Sequence, residues 1–89
     1  MRKLLFFHAP WCAPCRNVEN TIITPLEERI GADKIERINA QNEPFKADKY
    51  KVSKLPTVIV LDEENEFYRG EGRILCADIL EKYFDRNQC

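Results

Sequence analysis

An α/β fold with a four-stranded mixed sheet flanked by helices is predicted by three features of this 89-residue sequence. Two apolar runs, Leu4 to Phe7 and Val58 to Leu61, are too short for helices and read as buried strands. A C-terminal stretch places Leu75, Cys76, Ile79, Leu80, Tyr83 and Phe84 on one helical face, with Asp78, Glu81, Lys82 and Asp85 opposite. The length suits one small domain, residues 1–89, and with only Gly31, Gly70 and Gly72 there is no linker to divide it.

The elements follow in order. Lys3 to His8 forms the first strand, ended by Pro10. Val18, Ile22 and Ile23 then recur at helical spacing, so a helix runs from Cys12 to about Ile23, with Pro14 tolerated in the first turn, where its missing N–H is no loss. Pro25 cannot continue that helix silently, because its ring clashes with the carbonyl four residues back. The expectation is a restart, with Thr24 as N-cap and Pro25 as first residue of a segment closed by Gly31. Ile35 to Asn39 reads as a second strand, Pro44 to Lys51 as a brief helix, and Thr57 to Asp62 as the strongest strand. Glu63, Glu64 and Asn65 supply a turn, Glu66 to Arg69 pairs back as a fourth strand, and Gly70 to Gly72 loosens the backbone before the last helix. The order is β-α-β-α-β-β-α, with a parallel pair joined by a crossover and a terminal hairpin in the same sheet.

Composition removes several functional classes. Fourteen Lys plus Arg against fifteen Asp plus Glu, a net charge of −1, leaves no surplus of positive charge for neutralising phosphates, so nucleic acid is not an expected partner. Arg2, Lys3 and the run Leu4 to Phe7 imitate a secretion signal, but four apolar residues fall short of the roughly 7 that a signal core needs. No stretch approaches the ~18 apolar residues of a membrane span. The expectation is a cytoplasmic protein with no membrane partner, which weakens an oxidase or isomerase role. In a reducing compartment structural disulfides are rare, so paired cysteines point to catalysis or metal binding.

The pair is Trp11-Cys12-Ala13-Pro14-Cys15. A two-residue spacer at the start of a helix holds two sulfurs within disulfide reach, and the unpaired N–H groups there favour a thiolate at Cys12. Lowering a thiol pKa from about 8.5 to about 7 raises the thiolate fraction at neutral pH roughly 16-fold, while the weaker nucleophile returns nearly 5-fold, a net gain of about 3-fold. Cys12 is assigned as the attacking thiol and Cys15 as the resolving one, the more buried of the two. The same spacing is half of a zinc site, but beyond the pair the chain offers only His8, Cys76 and Cys89, and the last two do not make a second knuckle. Cys76 reads as a small buried hydrophobe and Cys89 as an exposed terminal thiol. Trp11 suits a flat apolar contact around a substrate disulfide.

The string Trp11-Cys12-Ala13-Pro14-Cys15-Arg16 resembles the active site of the thioredoxin family, Trp-Cys-Gly-Pro-Cys followed by a basic residue. Leu55-Pro56-Thr57 is similar to the family's cis-proline element, and Gly72 falls before the final helix as the family glycine does. The likeness covers the chain from Lys3 onward, without the extra strand and helix that thioredoxins usually carry in front. It implies a thioredoxin-like fold, and contact of Trp11, Pro14, Leu55, Pro56, Thr57 and Gly72 with substrate, the backbone around Pro56 pairing with an extended client segment. Two departures bear on proton handling. The family's buried acid lies six residues before the first cysteine, where this chain has Phe6; His8, two positions on and on the same strand face, is the candidate to take part of that role. Arg37 takes the place of a family lysine that approaches the active site from below, and Ala13 replaces the usual glycine.

The resemblance implies a protein-disulfide reductase, an enzyme working by dithiol-disulfide exchange as a cytoplasmic electron donor, with no organic cofactor or metal. Its implied partners are an NADPH-dependent flavoprotein of the thioredoxin reductase kind, which recharges it, and oxidised client proteins, among them ribonucleotide reductase. Family habit favours a monomer. A glutaredoxin-like protein recharged by glutathione fits the chain length, but Ala13-Pro14 is not the Pro-Tyr spacer of that family. A zinc or protein-binding module on the same fold is the alternative outside enzymes.

Overall fold

A computed structural model describes residues 2–72, 77–82 and 84, the side chains of residues 77–79 excepted. Strand β1 (Arg2–His8) is followed by α1 (Ala13–Val18), a π-helical turn (Glu19–Ile23), α2 (Thr24–Ile30), a 3-10 turn (Ala32–Lys34) and β2 (Ile35–Asn39). Then come α3 (Pro44–Lys49), β3 (Thr57–Asp62), β4 (Asn65–Glu71) and α4 (Ala77–Lys82). The sheet order is β2-β1-β3-β4. β1 runs parallel to β2 and antiparallel to β3, and β3 pairs antiparallel with β4. Among the described residues, β2 and β4 are its edges.

The alternation of β1 and β3 divides the core between the two faces. Leu4, Phe6, Val58 and Val60 meet Val18, Ile23, Leu26 and Leu80 from the helices on one side. Leu5, Phe7, Ile59 and Leu61 meet Ile38, and Ala47, Tyr50 and Val52 from the α3 region pack over them. Strands so placed are buried on both faces, which is why β1 and β3 read as continuous apolar runs rather than alternating ones.

The strands at Ile35 and Thr57 begin and end where the sequence placed them. The helix over the cysteines differs. It does not stop and restart at Thr24; Ile23 has helical backbone and offers no side-chain cap, and Thr24 donates its N–H to the Glu19 carbonyl five residues back. A π-turn widens the helix just ahead of Pro25, giving the ring room against the carbonyl it would otherwise strike. The wider turn also sets Ile23, fully buried, one turn beyond Val18, while Ile22 is only partly covered.

α3 ends at Lys49, short of Lys51, because Lys51 turns left-handed at φ 56° and Val52 bonds back to the Ala47 carbonyl at 2.8 Å. The hairpin turn is tighter than expected, with Glu63 at φ 60°, and β4 extends from Asn65 through the Gly70 and Glu71 partners of Val58 and Thr57. Gly31 closes α2 at φ 103°, where an added Cβ would stand 2.7 Å from Asp33 Oδ1. Of the last helix's expected apolar face, Leu80 is fully buried and Phe84 packs on the core. Glu81 reaches Arg29 of α2 at 3.4 Å. Leu75, Cys76, Tyr83, Asp85 and Cys89, with the side chains of Asp78 and Ile79, lie outside the described residues.

Candidate active site

β1 delivers its C-terminal end to the loop that carries the cysteines. Cys12 donates its N–H to the Ala9 carbonyl at 3.1 Å, closing a turn through Pro10 and Trp11. Arg16 braces the same loop from the helix by donating to the Pro10 carbonyl at 3.2 Å. Cys12 is the N-cap of α1, extended at φ −94° and ψ 100°, and its Sγ accepts from the Cys15 N–H at 3.2 Å. A backbone donor is thereby aimed at the Cys12 sulfur. Pro14 lies in the first turn, where no N–H is needed.

Cys12 and Cys15 are joined as a disulfide, their Cα atoms 5.2 Å apart. Both are buried, Cys15 at 2% exposure and Cys12 at 5%. Trp11 next to them is 71% exposed, so it belongs to the surface and not to the core. Bulk apolar area standing free beside a reactive sulfur suits contact with a docking partner.

The cis peptide bond between Leu55 and Pro56 precedes β3, whose first residue Thr57 is in register with Phe7 near the end of β1. The cis element and the cysteine loop therefore share one end of the sheet. Pro56 and Thr57 are buried and Leu55 half-buried. Thr57 Oγ1 donates to the Lys54 carbonyl at 2.6 Å. Gly72, at φ 77° with open space where a Cβ would be, donates its N–H to the Pro56 carbonyl at 2.8 Å. Its link to the site is this brace on the cis-proline segment.

A cleft of about 220 Å³ opens beside the disulfide, lined by His8, Ala9, Pro10, Cys12, Cys15, Arg16 and Glu19. His8 is half-buried and stacks on Phe6, ring centroids 5.3 Å apart. Arg37 is not on the cleft wall. Its guanidinium forks onto Glu27 of α2, with Nη1 at 2.7 Å from Oε2 and Nη2 at 3.3 Å from Oε1, and its Nε reaches Glu19 Oε2 at 3.0 Å. The bidentate bond to Arg37 holds the Glu27 carboxyl below the usual glutamate range. The structure thus brings His8 to the cysteines and, among the described residues, links Arg37 to their cleft through Glu19. Sequence reasoning missed Glu19; its one local signal is its place four residues after Cys15, on the same helix face.

Among the described residues no group of three or more His, Cys, Asp and Glu side chains is placed to hold a metal ion, and no helix is long and apolar enough to cross a membrane.

Comparison with known proteins places these features in context. The family model described as Thioredoxin matches residues 2–85. A thioredoxin of Chlamydia trachomatis is 30% identical over 89 residues, covering 96% of this chain and 81% of the relative. The chloroplastic thioredoxin M5 of Oryza sativa subsp. japonica is 32% identical over 83 residues, 90% of this chain; the chain spans about half, 48%, of that relative. Among solved structures, thioredoxin 1 of Thermosipho africanus superposes with a TM-score of 0.73 at 26% identity, covering 90% of this chain and 86% of that one. Thioredoxin-2, described as a component of the malaria parasite's protein secretion machinery, superposes at 0.79 over 93% of this chain and 80% of its own; at 21% identity it speaks for the fold alone.

Proposed function

The chain belongs to the thioredoxin family, and on that premise we propose that it is a thiol-disulfide oxidoreductase that reduces disulfides in other proteins. The observation that carries this reading is the Cys12–Cys15 pair itself, joined across the first turn of a helix beside an exposed tryptophan.

In the reduced protein the Cys12 thiolate attacks one sulfur of a client disulfide, forming a Cys12–client bond and releasing the client's other sulfur as a thiolate. Cys15 then attacks Cys12 Sγ, forming the intramolecular disulfide and expelling the second client sulfur. Two electrons and two protons pass to the client, and the dithiol becomes the disulfide. Burial of Cys15 one turn behind Cys12 supports this order, because an incoming protein meets the sulfur beside Trp11 first. Leu55, Pro56 and Thr57, at the same end of the sheet, are proposed to engage an extended client segment, with Pro14 and Gly72 shaping its surroundings. His8, on the cleft wall, is proposed to share in handling the proton of the resolving thiol.

The proposed partners are a thioredoxin reductase-like flavoprotein that returns two electrons to the pair, and oxidised clients, ribonucleotide reductase among them. The proposed setting is the cytoplasm, where thiols are kept reduced and a monomer meets its clients by diffusion. Cell fractionation decides between that setting and an organelle such as the one named for the rice relative.

A redox titration tests the function, following Cys12–Cys15 disulfide formation by mass spectrometry with Cys76 and Cys89 replaced by serine. A potential between about −270 and −200 mV is expected of a cytosolic reductant. A potential near −120 mV, that of a strong oxidant, would overturn the proposal.

A further inference from the structure

We propose that Glu19 is the proton acceptor for the Cys15 thiol, positioned for that task by Arg37; the inference rests on the disulfide-exchange reading above.

Cys15 is closed off from bulk solvent, so its proton must leave through the space it lines. That space is the cleft of about 220 Å³, several times the roughly 30 Å³ share of one water, which is room enough for water to carry a proton across it. Glu19 is the one acidic residue among those that line it. Arg37 treats its two acidic partners unequally. It occupies both oxygens of Glu27, but binds Glu19 only through Nε to Oε2, and among the described residues nothing is bonded to Glu19 Oε1. One oxygen is anchored and, among the described residues, the other has no hydrogen-bond partner. The anchor fixes where the acceptor stands, which is what general-base catalysis requires.

His8, proposed above to share in handling this proton, is the other protonatable group on the cleft wall, and the remaining ionisable groups around Glu19 are engaged elsewhere or exposed. His8 of β1 and Arg16 of α1 share the cleft, and Arg16 is engaged with the Pro10 carbonyl. Glu27 of α2 is spent on Arg37, and Lys34 donates to the Ile30 carbonyl. On α4, which packs against the π-turn, Glu81 is paired with Arg29 and Lys82 is exposed.

In the step concerned, the Cys15 S–H proton passes to Glu19 as the Cys15–Cys12 bond forms and the Cys12–client bond breaks. The client sulfur leaves as a thiolate and takes up the proton from Glu19 through the cleft. The carboxylate is regenerated and the two electrons reside on the client.

The test uses the full chain with Cys76 and Cys89 as serine, reduced and mixed in stopped flow with an aryl disulfide whose released thiolate absorbs visible light. Release is biphasic: Cys12 attack gives the first phase and Cys15 attack the second. For E19Q the first phase should stay within about twofold of the parent, and the second should slow about a hundredfold or more at neutral pH, the low end of what a positioned general base supplies. E19D should recover part of the loss. E27Q, which removes the Arg37 fork without touching the cleft wall, should change the second phase less than about twofold.

A purely electrostatic role has the opposite sign. Removing a neighbouring negative charge makes the Cys15 thiolate easier to form, so E19Q would then be faster at neutral pH. An E19Q second phase equal to or faster than the parent's, or an E27Q loss as large as that of E19Q, overturns the inference. A parent protein that releases only one aryl thiolate per molecule, instead of two, overturns the exchange reading beneath it.

Discussion

The two cysteines could be found in the sequence because their chemistry is written in their spacing: two intervening residues and a proline fix the helix start, and with it Cys12 as N-cap. The same holds for Pro56, which lies where the best strand begins. Glu19 was not legible, because its part depends on Arg37 arriving from β2, 18 residues away in the chain, to hold one of its oxygens. The apolar contact expected of Trp11 can be tested at this scale. With 71% of its surface exposed, the ring contributes little to the fold, so W11A should leave the unfolding free energy within about 0.5 kcal/mol. What it should lose is grip on a folded client. We expect kcat/KM for a protein disulfide to fall severalfold while the rate with a small aryl disulfide holds. An equal loss with both would make Trp11 a part of the cysteine chemistry instead of the docking face.

Strands were easier to place than helices. β3 is filled with Val, Ile and Leu and β2 carries Ile35 and Ile38, and the ends of both fall where the sequence put them. The helix over the cysteines was legible as a helix but not in its pitch. Ile22 and Ile23 are adjacent and equally apolar, so local pattern cannot say which enters the core. Packing against β1 and β3 chooses Ile23, and the π-turn is how the backbone delivers it. The choice yields an inverted ranking of two substitutions. A regular helix phased on Val18 would bury Ile22 four residues later, so I22A would be the costlier change. The π-turn predicts the reverse: I23A should cost about 2–5 kcal/mol, as for a fully buried isoleucine, and I22A less than about 2 kcal/mol. Chemical denaturation of both variants checks it.

Across the whole molecule, ion pairs tie the layers together. Glu36 of β2 binds Lys3 of β1 and Lys46 of α3, each at 2.8 Å, and these bonds, the one from Lys3 foremost, hold its carboxyl below the ordinary value. Arg37 does the same for Glu27, and Arg69 for Glu66. Carboxylates lowered in the folded state contribute stability that is complete above the unfolded glutamate value of about 4.3 and is lost as pH falls through their folded values. Arg37, raised chiefly by Glu27, and Lys46, raised chiefly by Glu36, give up their share only above about pH 10.4. Thermal unfolding should therefore show a midpoint that is flat from pH 6 to 8 with respect to these pairs and declines below about pH 4.3, less steeply in 1 M salt, where the screening length shrinks to about 3 Å. A midpoint unchanged down to pH 3 would refute it. Glu36 and Arg37 are neighbours on β2, so they point to opposite faces of the sheet's outermost strand. A foreign strand seeking to extend the sheet along that side would meet a bound charge above and another below, and would have to strip water and partners from both. The strand that anchors the ion pairs is in this way also a gatekeeper against aggregation.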